Sequence, residues 1–304
     1  MTMRPAAAPP ARTARGAALI LVLWLLVLMT ALIGGFAQTA RIESLQAHQL
    51  RSALIARQAA RAGIEYAVLR MNYPDVNRRW LPDGRKYPFR IGDAELEIRV
   101  LDESGKIDIN GASQELLGKL LDALGVAEPR AHNLAGAIVD YRDPDDLLSR
   151  GGAEASEYSS AGLAYGPKNK PFESVSELQR VLGMDFVLYQ KLVPNVTVYA
   201  SGDPTPSFAP PPVLQALGLS ADGAHVFQTQ REAWQPNAPG AQPPVLPNGQ
   251  PFVVQMGSGI YDISSHVTLH DGTKLTVNAI VRASQTGPFG QLYVPLQWRE
   301  GESY

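Results

Sequence analysis

A long apolar segment near the N-terminus limits what this chain can fold into. Between Ala17 and Ala37 the only side chain that is neither apolar nor glycine is Thr30. As an α-helix these residues would extend for roughly 31 Å, which matches the hydrocarbon core of a bilayer. The sequence therefore predicts that residues 17–37 form a transmembrane helix.

The flanks of this segment differ from those of a cleaved secretory signal. A secretory signal has a shorter apolar region, followed by a small-residue cleavage site, whereas here the small pair Gly16-Ala17 precedes the run. Arg4, Arg12 and Arg15 also precede it, which predicts a cytoplasmic N-terminus and a C-terminal domain on the other side of the membrane. On this geometry alone, a plain signal anchor remains an alternative.

The helical pattern continues beyond the membrane as a narrow stripe of mostly small side chains. Pro74 gives the first convincing stop, because the residue before a proline is pushed out of the helical region. A helix over residues 17–71 would be about 82 Å long and would need packing partners. The stripe suits close packing beside similar helices; its members are Ile42, Leu45, Gln49, Ala53, Ala56, Ala60, Gly63, Ile64 and Ala67.

Composition excludes several classes of function. The chain contains no cysteine, so disulfides, thiolate metal sites and cysteine nucleophiles are ruled out. A net charge of −2 argues against a polyanion as the main partner. Five scattered histidines assemble no catalytic triad, and His266 and His270 would lie roughly 13 Å apart on a strand. The sequence predicts no active site and hence no enzyme.

For the remainder of the chain, the sequence predicts strands interrupted by helices. Alternating apolar residues predict strands before and after a helical region, and the pair Asp271-Gly272 predicts a hairpin near the C-terminus. The predicted organisation is a basic leader at 1–16, the helix at 17–37 and 38–73, strands at 90–110 and 194–201, a helical insertion at 111–193, a partial helical repeat at 202–234, a Pro/Gly-rich loop at 235–251 and C-terminal strands at 252–304.

The repeat rests on two similar segments, "LLDALGVA" at 120–127 and "VLQALGLS" at 213–220. Each predicts a helix, a glycine turn and a second helix, a form that also occurs in DNA-binding modules. Phosphate binding needs cations near such turns. Residues 105–135 contain three cations against four carboxylates, and residues 202–235 contain one against three. We therefore expect no nucleic-acid partner; a membrane-anchored helix-hairpin-helix DNA-uptake or DNA-binding factor is the alternative.

An acidic segment offers the one candidate metal site. Asp143, Asp145 and Asp146 follow Asp140 closely, and Glu154 and Glu157 come soon after. Hard oxygen ligands on a loop can bind Ca²⁺, although this spacing is not that of an EF-hand. The alternative is that these carboxylates cap helix ends or pair with Arg142 and Arg150. Asp143, Asp145 and Asp146 are the candidate Ca²⁺ ligands, and no other cofactor is expected.

The N-terminus resembles the class III leader of type IV pilins and type II secretion pseudopilins, in which a basic leader ends in glycine before a long helix. The resemblance implies cleavage between Gly16 and Ala17 by a prepilin peptidase and N-methylation of Ala17. Most pilins have a glutamate at the fifth mature position, which is Leu21 here. A missing glutamate suits a subunit at the fibre tip, which has no subunit above it to pair with.

Several motifs resemble the K-type minor pseudopilin of type II secretion systems: "LWLLVLMTALIGGFA", "DESGKIDIN", "IVDYRDPDD" and "LQWRE". The resemblance implies an α+β fold, with a pilin-like N-terminal helix on an antiparallel sheet and a large all-helical insertion. It also implies a single-pass inner-membrane protein with a periplasmic domain at the pseudopilus tip, supporting protein export. The implied partners are the I- and J-type minor pseudopilins, the major pseudopilin, the prepilin peptidase and the inner-membrane assembly platform.

Overall fold

The computed structural model describes residues 15–75, 78–235, 238, 240–246, 257–284 and 292–301, with side chains from residue 18 onward. The chain divides into two units, one up to Leu54 and one from Ile55. Residues 1–14 of the predicted leader, residues 252–256 and much of the predicted loop at 235–251 lie outside the described residues.

In chain order, the helices are α1 (Arg15–Met71), α2 (Gln114–Ala123), α3 (Arg130–Arg142), α4 (Ala155–Ser160), α5 (Phe186–Leu192), α6 (Pro211–Ala216) and α7 (Ala221–Ala233). The strands are β1 (Asp83–Ile91), β2 (Ala94–Asp102), β3 (Ile107–Asp108), β4 (Val196–Thr197), β5 (Ile260–Thr268), β6 (Lys274–Ala283) and β7 (Tyr293–Glu300). Residues Val175–Arg180, within the predicted helical insertion, form a 3₁₀-helix.

The helix α1 begins and ends close to the predicted positions. At its C-terminus the side-chain amide of Asn72 donates a hydrogen bond to the carbonyl of Val68 at 3.1 Å, and Pro74 follows after one more residue. In the first unit, the large apolar side chains from Leu19 to Phe36 are exposed. This half of the helix is long and apolar enough to cross a bilayer.

Five antiparallel strands form the main sheet, in the order β1-β2-β5-β6-β7. The predicted hairpin at Asp271-Gly272 is present: Gly272 has a φ of +85°, and the backbone N–H of Thr273 donates to the Asp271 carboxylate at 2.9 Å. One face of the sheet packs against the α1 residues that belong to the second unit. The fully buried side chains on this part of α1 are Ala56, Ala60, Ile64, Ala67 and Val68.

Gly63 allows α1 to lie close to the sheet. A Cβ atom at this position would lie 2.4 Å from Oγ of Ser265 and 2.8 Å from Cδ2 of Leu96. Both neighbours are buried, and Leu96 belongs to a core to which β2 also contributes Ile98 and Val100. Any side chain at position 63 would therefore push the helix away from β2 and β5.

A second core lies in the helical domain, which extends from β3 to Leu246. It contains buried side chains from both the predicted insertion and the predicted repeat, for example Leu120 and Val213, so the two segments form one helical domain. The sequence predicts strands of the pilin sheet at 90–110 and 194–201. The strand β2 lies in the main sheet as predicted, whereas β3 and β4 pair with each other in a separate parallel two-stranded sheet. Of their side chains, Ile107 and Val196 are buried in the helical core.

We predict that Gly63→Val lowers the free energy of unfolding by about 2 kcal/mol or more, because the added atoms overpack the helix–sheet contact. Gly118→Ala in α2 is the matched control, since a Cβ atom there has no neighbour within 4 Å. The control should raise stability by about 0.5–1 kcal/mol, the helix-propensity difference between glycine and alanine. Denaturant titration of the full-length protein in detergent measures both; equal stability of Gly63→Val and the wild-type protein would contradict the packing argument.

Candidate functional site

The predicted processing site lies in the first turn of α1. This helix begins at Arg15, so Gly16 and Ala17 are helical. The first turn contains no acidic residue, and the side chain of Leu21 is 70% exposed. At the position where most pilins have a glutamate, this protein therefore has an exposed leucine.

The hydroxyl groups in this part of α1 are satisfied by the helix itself. Thr30 donates to the carbonyl of Leu26 at 2.8 Å, and Thr39 donates to the carbonyl of Gly35 at 3.1 Å. Such internal bonds remove the cost of placing a hydroxyl in hydrocarbon. The helix surface is thus compatible with lipid or with apolar neighbouring helices.

Asp140 organises the acidic loop that follows α3. Its carboxylate is fully buried and accepts hydrogen bonds from the backbone N–H groups of Ser149 and Ala153, the latter at 2.8 Å. A Cβ atom at Gly152 would lie 2.0 Å from this carboxylate, so only glycine allows the loop to close around it. Asp140 therefore acts as a structural acceptor.

The structure gives the three candidate calcium ligands different surroundings. One carboxylate oxygen of Asp145 accepts from the backbone N–H of Leu147 at 2.9 Å, and one of Asp146 accepts from the side chain of Asn169 at 3.1 Å. Oδ1 of Asp143 is buried and has no hydrogen-bond partner. Among the described residues, no three acidic or histidine side chains converge into a ready-made metal site.

Glu154 belongs to the same acidic segment but is not among the three predicted Ca²⁺ ligands. Its side chain is only 6% exposed. It forms a capping box with Glu157 at the start of α4, but neither buried carboxylate oxygen has a well-formed hydrogen bond. Burial, together with the nearby carboxylates of Asp140, Asp143, Asp146 and Asp145, raises its pKa to about 7. A buried, unpaired carboxylate costs several kcal/mol unless a cation or a proton compensates it.

Arg142 lies close to this loop in sequence, but its guanidinium group binds backbone carbonyls. Arg142 donates to the carbonyls of Ile109 and Ala112, which ties the end of α3 to the strand β3. Burial lowers the pKa of Arg142, while Asp108 and Asp143 oppose that effect. The guanidinium group of Arg142 therefore binds backbone carbonyls and does not form the predicted ion pair with the loop carboxylates.

The two predicted helical hairpins have the same backbone construction. Gly125 and Gly218 both have positive φ, at +85° and +102°. The N–H of Val126 donates to the carbonyl of Leu121, and the N–H of Leu219 donates to the carbonyl of Leu214. The pairs α2/α3 and α6/α7 thus form two equivalent hairpins, which pack together through α2 and α6. Their shared core gives them a structural role.

Comparison with known proteins adds independent observations. A family profile described as "Type II secretion system (T2SS), protein K" matches residues 94–201. The type II secretion system protein K of Klebsiella pneumoniae is 31% identical over 215 residues, which cover 61% of this chain and 63% of that protein. Its counterpart in Pectobacterium carotovorum subsp. carotovorum is 27% identical over 205 residues, covering 60% and 62%. The chain thus spans less than two thirds of the length of these relatives.

A solved structure shares the fold. It is described as the crystal structure of the GspK-GspI-GspJ complex from the enterotoxigenic Escherichia coli type 2 secretion system, and the matched chain aligns with a TM-score of 0.51 at 22% identity. The alignment covers 86% of this chain and all of that chain. This likeness supports the α+β fold with its helical insertion. Over the matched residues, this chain is similar to type II secretion system protein K.

Proposed function

We propose that this protein is a non-enzymatic minor pseudopilin at the tip of the type II secretion pseudopilus, where it supports export of folded proteins from the periplasm across the outer membrane. The helix α1 carries the proposal: its first half exposes large apolar side chains, and its residues from Ile55 onward belong to the core of a pilin-type sheet. A helix of this kind suits insertion in a membrane followed by lateral packing in a fibre.

In this proposal the protein is inserted once in the bacterial inner membrane, with its C-terminal domain in the periplasm. The prepilin peptidase cuts between Gly16 and Ala17 on the cytoplasmic side and methylates Ala17. The inner-membrane assembly platform then moves the subunit into the pseudopilus, where α1 packs beside helices of the major pseudopilin. The solved complex that shares the fold joins a K-type chain to GspI and GspJ, so we propose I- and J-type minor pseudopilins as direct partners.

Leu21 favours the tip position. An intramembrane carboxylate costs about 2.5–3.5 kcal/mol by insertion scales, so a fibre subunit keeps one only where it pairs with a neighbour. This chain has no carboxylate in the first turn of α1 and an exposed leucine at position 21. A subunit at the tip needs no such pairing, because no further subunit lies above it.

We also propose that the acidic loop binds Ca²⁺. The oxygen donors suit a hard cation, although these side chains do not converge on one point in the described structure. Asp143 and Glu154 have buried carboxylate oxygens, and the negative charges of Asp145 and Asp146 act on Glu154. The cation would supply the positive charge that this loop lacks. Asp143, Asp145, Asp146 and Glu154 would hold it, while Asp140 keeps the loop closed around them.

The first prediction concerns processing. Mass spectrometry of the protein isolated from wild-type cells should give a mature chain that starts at methylated Ala17. Replacing Gly16 by a bulkier residue, or deleting the prepilin peptidase, should leave the leader attached, because the peptidase recognises the glycine. Normal secretion by a protein that still carries residues 1–15 would contradict the proposed function.

The second prediction concerns position 21. Leu21→Glu should be processed normally, since the cleavage site is unchanged, but should slow pseudopilus initiation and reduce secretion. Leu23→Glu places the same charge two residues farther along the same exposed segment and serves as the matched control for the cost of a membrane carboxylate. Secretion at the wild-type level with Leu21→Glu would remove the argument for the tip position.

The third prediction concerns calcium. Millimolar Ca²⁺ should raise the melting temperature of the full-length protein, since a ligand at 100 times its Kd adds about 2.7 kcal/mol to stability. Glu154→Gln should abolish most of this increase, whereas Glu115→Gln at an exposed surface ion pair should retain it. An equal response of both variants to Ca²⁺ would contradict binding at this loop.

A further inference from the structure

We propose that Lys106 sets the orientation of the helical domain on the main sheet, as the centre of an ion triad with the buried Glu103 and the partly buried Asp262. The Lys106 side chain is 3% exposed. Its Nζ lies 2.6 Å from Oε1 of Glu103 and 2.6 Å from Oδ2 of Asp262. Two carboxylates thus hold one ammonium group inside the protein.

The triad connects three parts of the second unit. Glu103 and Lys106 lie in the turn between β2 and β3, and Asp262 lies on β5 of the main sheet. The other carboxylate oxygen of Glu103 accepts a hydrogen bond from the hydroxyl of Thr197, which belongs to β4 of the helical domain. One charged cluster therefore bonds the sheet, the connecting turn and the helical domain together.

Further contacts surround the same turn. The carboxylate of Asp102 accepts from the backbone N–H groups of Ser104 at 2.9 Å and Ser258 at 2.7 Å. The carbonyl of Ser104 accepts from the N–H of Thr205 at 2.7 Å. A Cβ atom on Gly105 would lie 2.4 Å from the backbone of Phe208. The turn at 102–106 is therefore fixed from both the sheet and the helical side.

The chemistry of the triad favours a role in orientation over one in stability. Burial alone would lower the pKa of Lys106, but Asp262 and Glu103 raise it, so the ammonium stays charged. Replacing a buried ion cluster by apolar residues is often neutral or stabilising, because the desolvation cost disappears. The three charged side chains, however, find their ion-pair and hydrogen-bond partners only when the sheet, the turn and the helical domain are in one relative arrangement. Apolar side chains impose no such directional requirement.

The absence of cysteine from the chain allows a direct test. Cysteines introduced at Asp93, in the exposed β1–β2 turn, and at Lys119, on the exposed face of α2, carry spin labels on the sheet and the helical domain. Pulsed electron resonance on the full-length protein in detergent then measures the width of the distance distribution between the labels. Lys86→Met is the matched control, because Lys86 forms an exposed ion pair with Glu97 on the sheet.

We expect a narrow distribution for the wild-type protein and for Lys86→Met. Lys106→Met leaves the buried carboxylate of Glu103 and the partly buried carboxylate of Asp262 without their shared cation, and should lower stability as well as broaden the distribution. The triple variant Glu103→Leu, Lys106→Met, Asp262→Leu removes all three charges and should unfold cooperatively, like the wild-type protein, while its distribution is about twice as wide. A wild-type width in the triple variant would overturn the proposal. Failure of the triple variant to fold would also overturn it, because the triad would then be required for folding itself.

Discussion

The close approach of α1 to the sheet is the constraint on which the pilin framework depends. One helix must present large apolar side chains to its surroundings in its first half and small side chains to a core in its second half. Gly63 and the alanines around it satisfy the second requirement, and the exposed run from Leu19 to Phe36 satisfies the first. The proposed role follows from this combination, since the same helix can leave a membrane and enter a fibre without refolding.

Buried charges lie where elements meet, whereas each core is apolar. Lys106 joins the turn after β2 to β5, and Arg85 donates from β1 to the carbonyls of Arg231 and Trp234 at the end of α7. Arg231 in turn donates to the carbonyls of Ser207 and Ala209. Dispersion and hydrophobic burial stabilise the sheet core and the helical core separately, and these directional bonds determine how the parts fit together.

Patterns that depend on local chemistry could be predicted from the sequence. The end of α1 before Pro74, the hairpin at Asp271-Gly272 and the duplicated helical turn all follow from such patterns. The strand β1 could not be predicted, because "DGRKYPFRI" is rich in charge, contains Pro88 and belongs to an edge strand, where burial imposes little pattern. The pairing of β3 with β4 could not be predicted for another reason. A strand of two residues is too short for its sequence to indicate which strand it pairs with. Glu154 looked like one more loop carboxylate, and only its burial distinguishes it.

The tip assignment distinguishes this protein from a repeating fibre subunit: it should contact other minor pseudopilins but not a second copy of itself. A photo-crosslinking residue at Ile55 or Leu69 tests this directly, because both side chains are about half exposed on α1, at 46% and 45%. Irradiation of secreting cells should give adducts of this chain with the I- or J-type minor pseudopilin and none between two copies. A ladder of self-adducts, as expected of a repeating fibre subunit, would contradict the account.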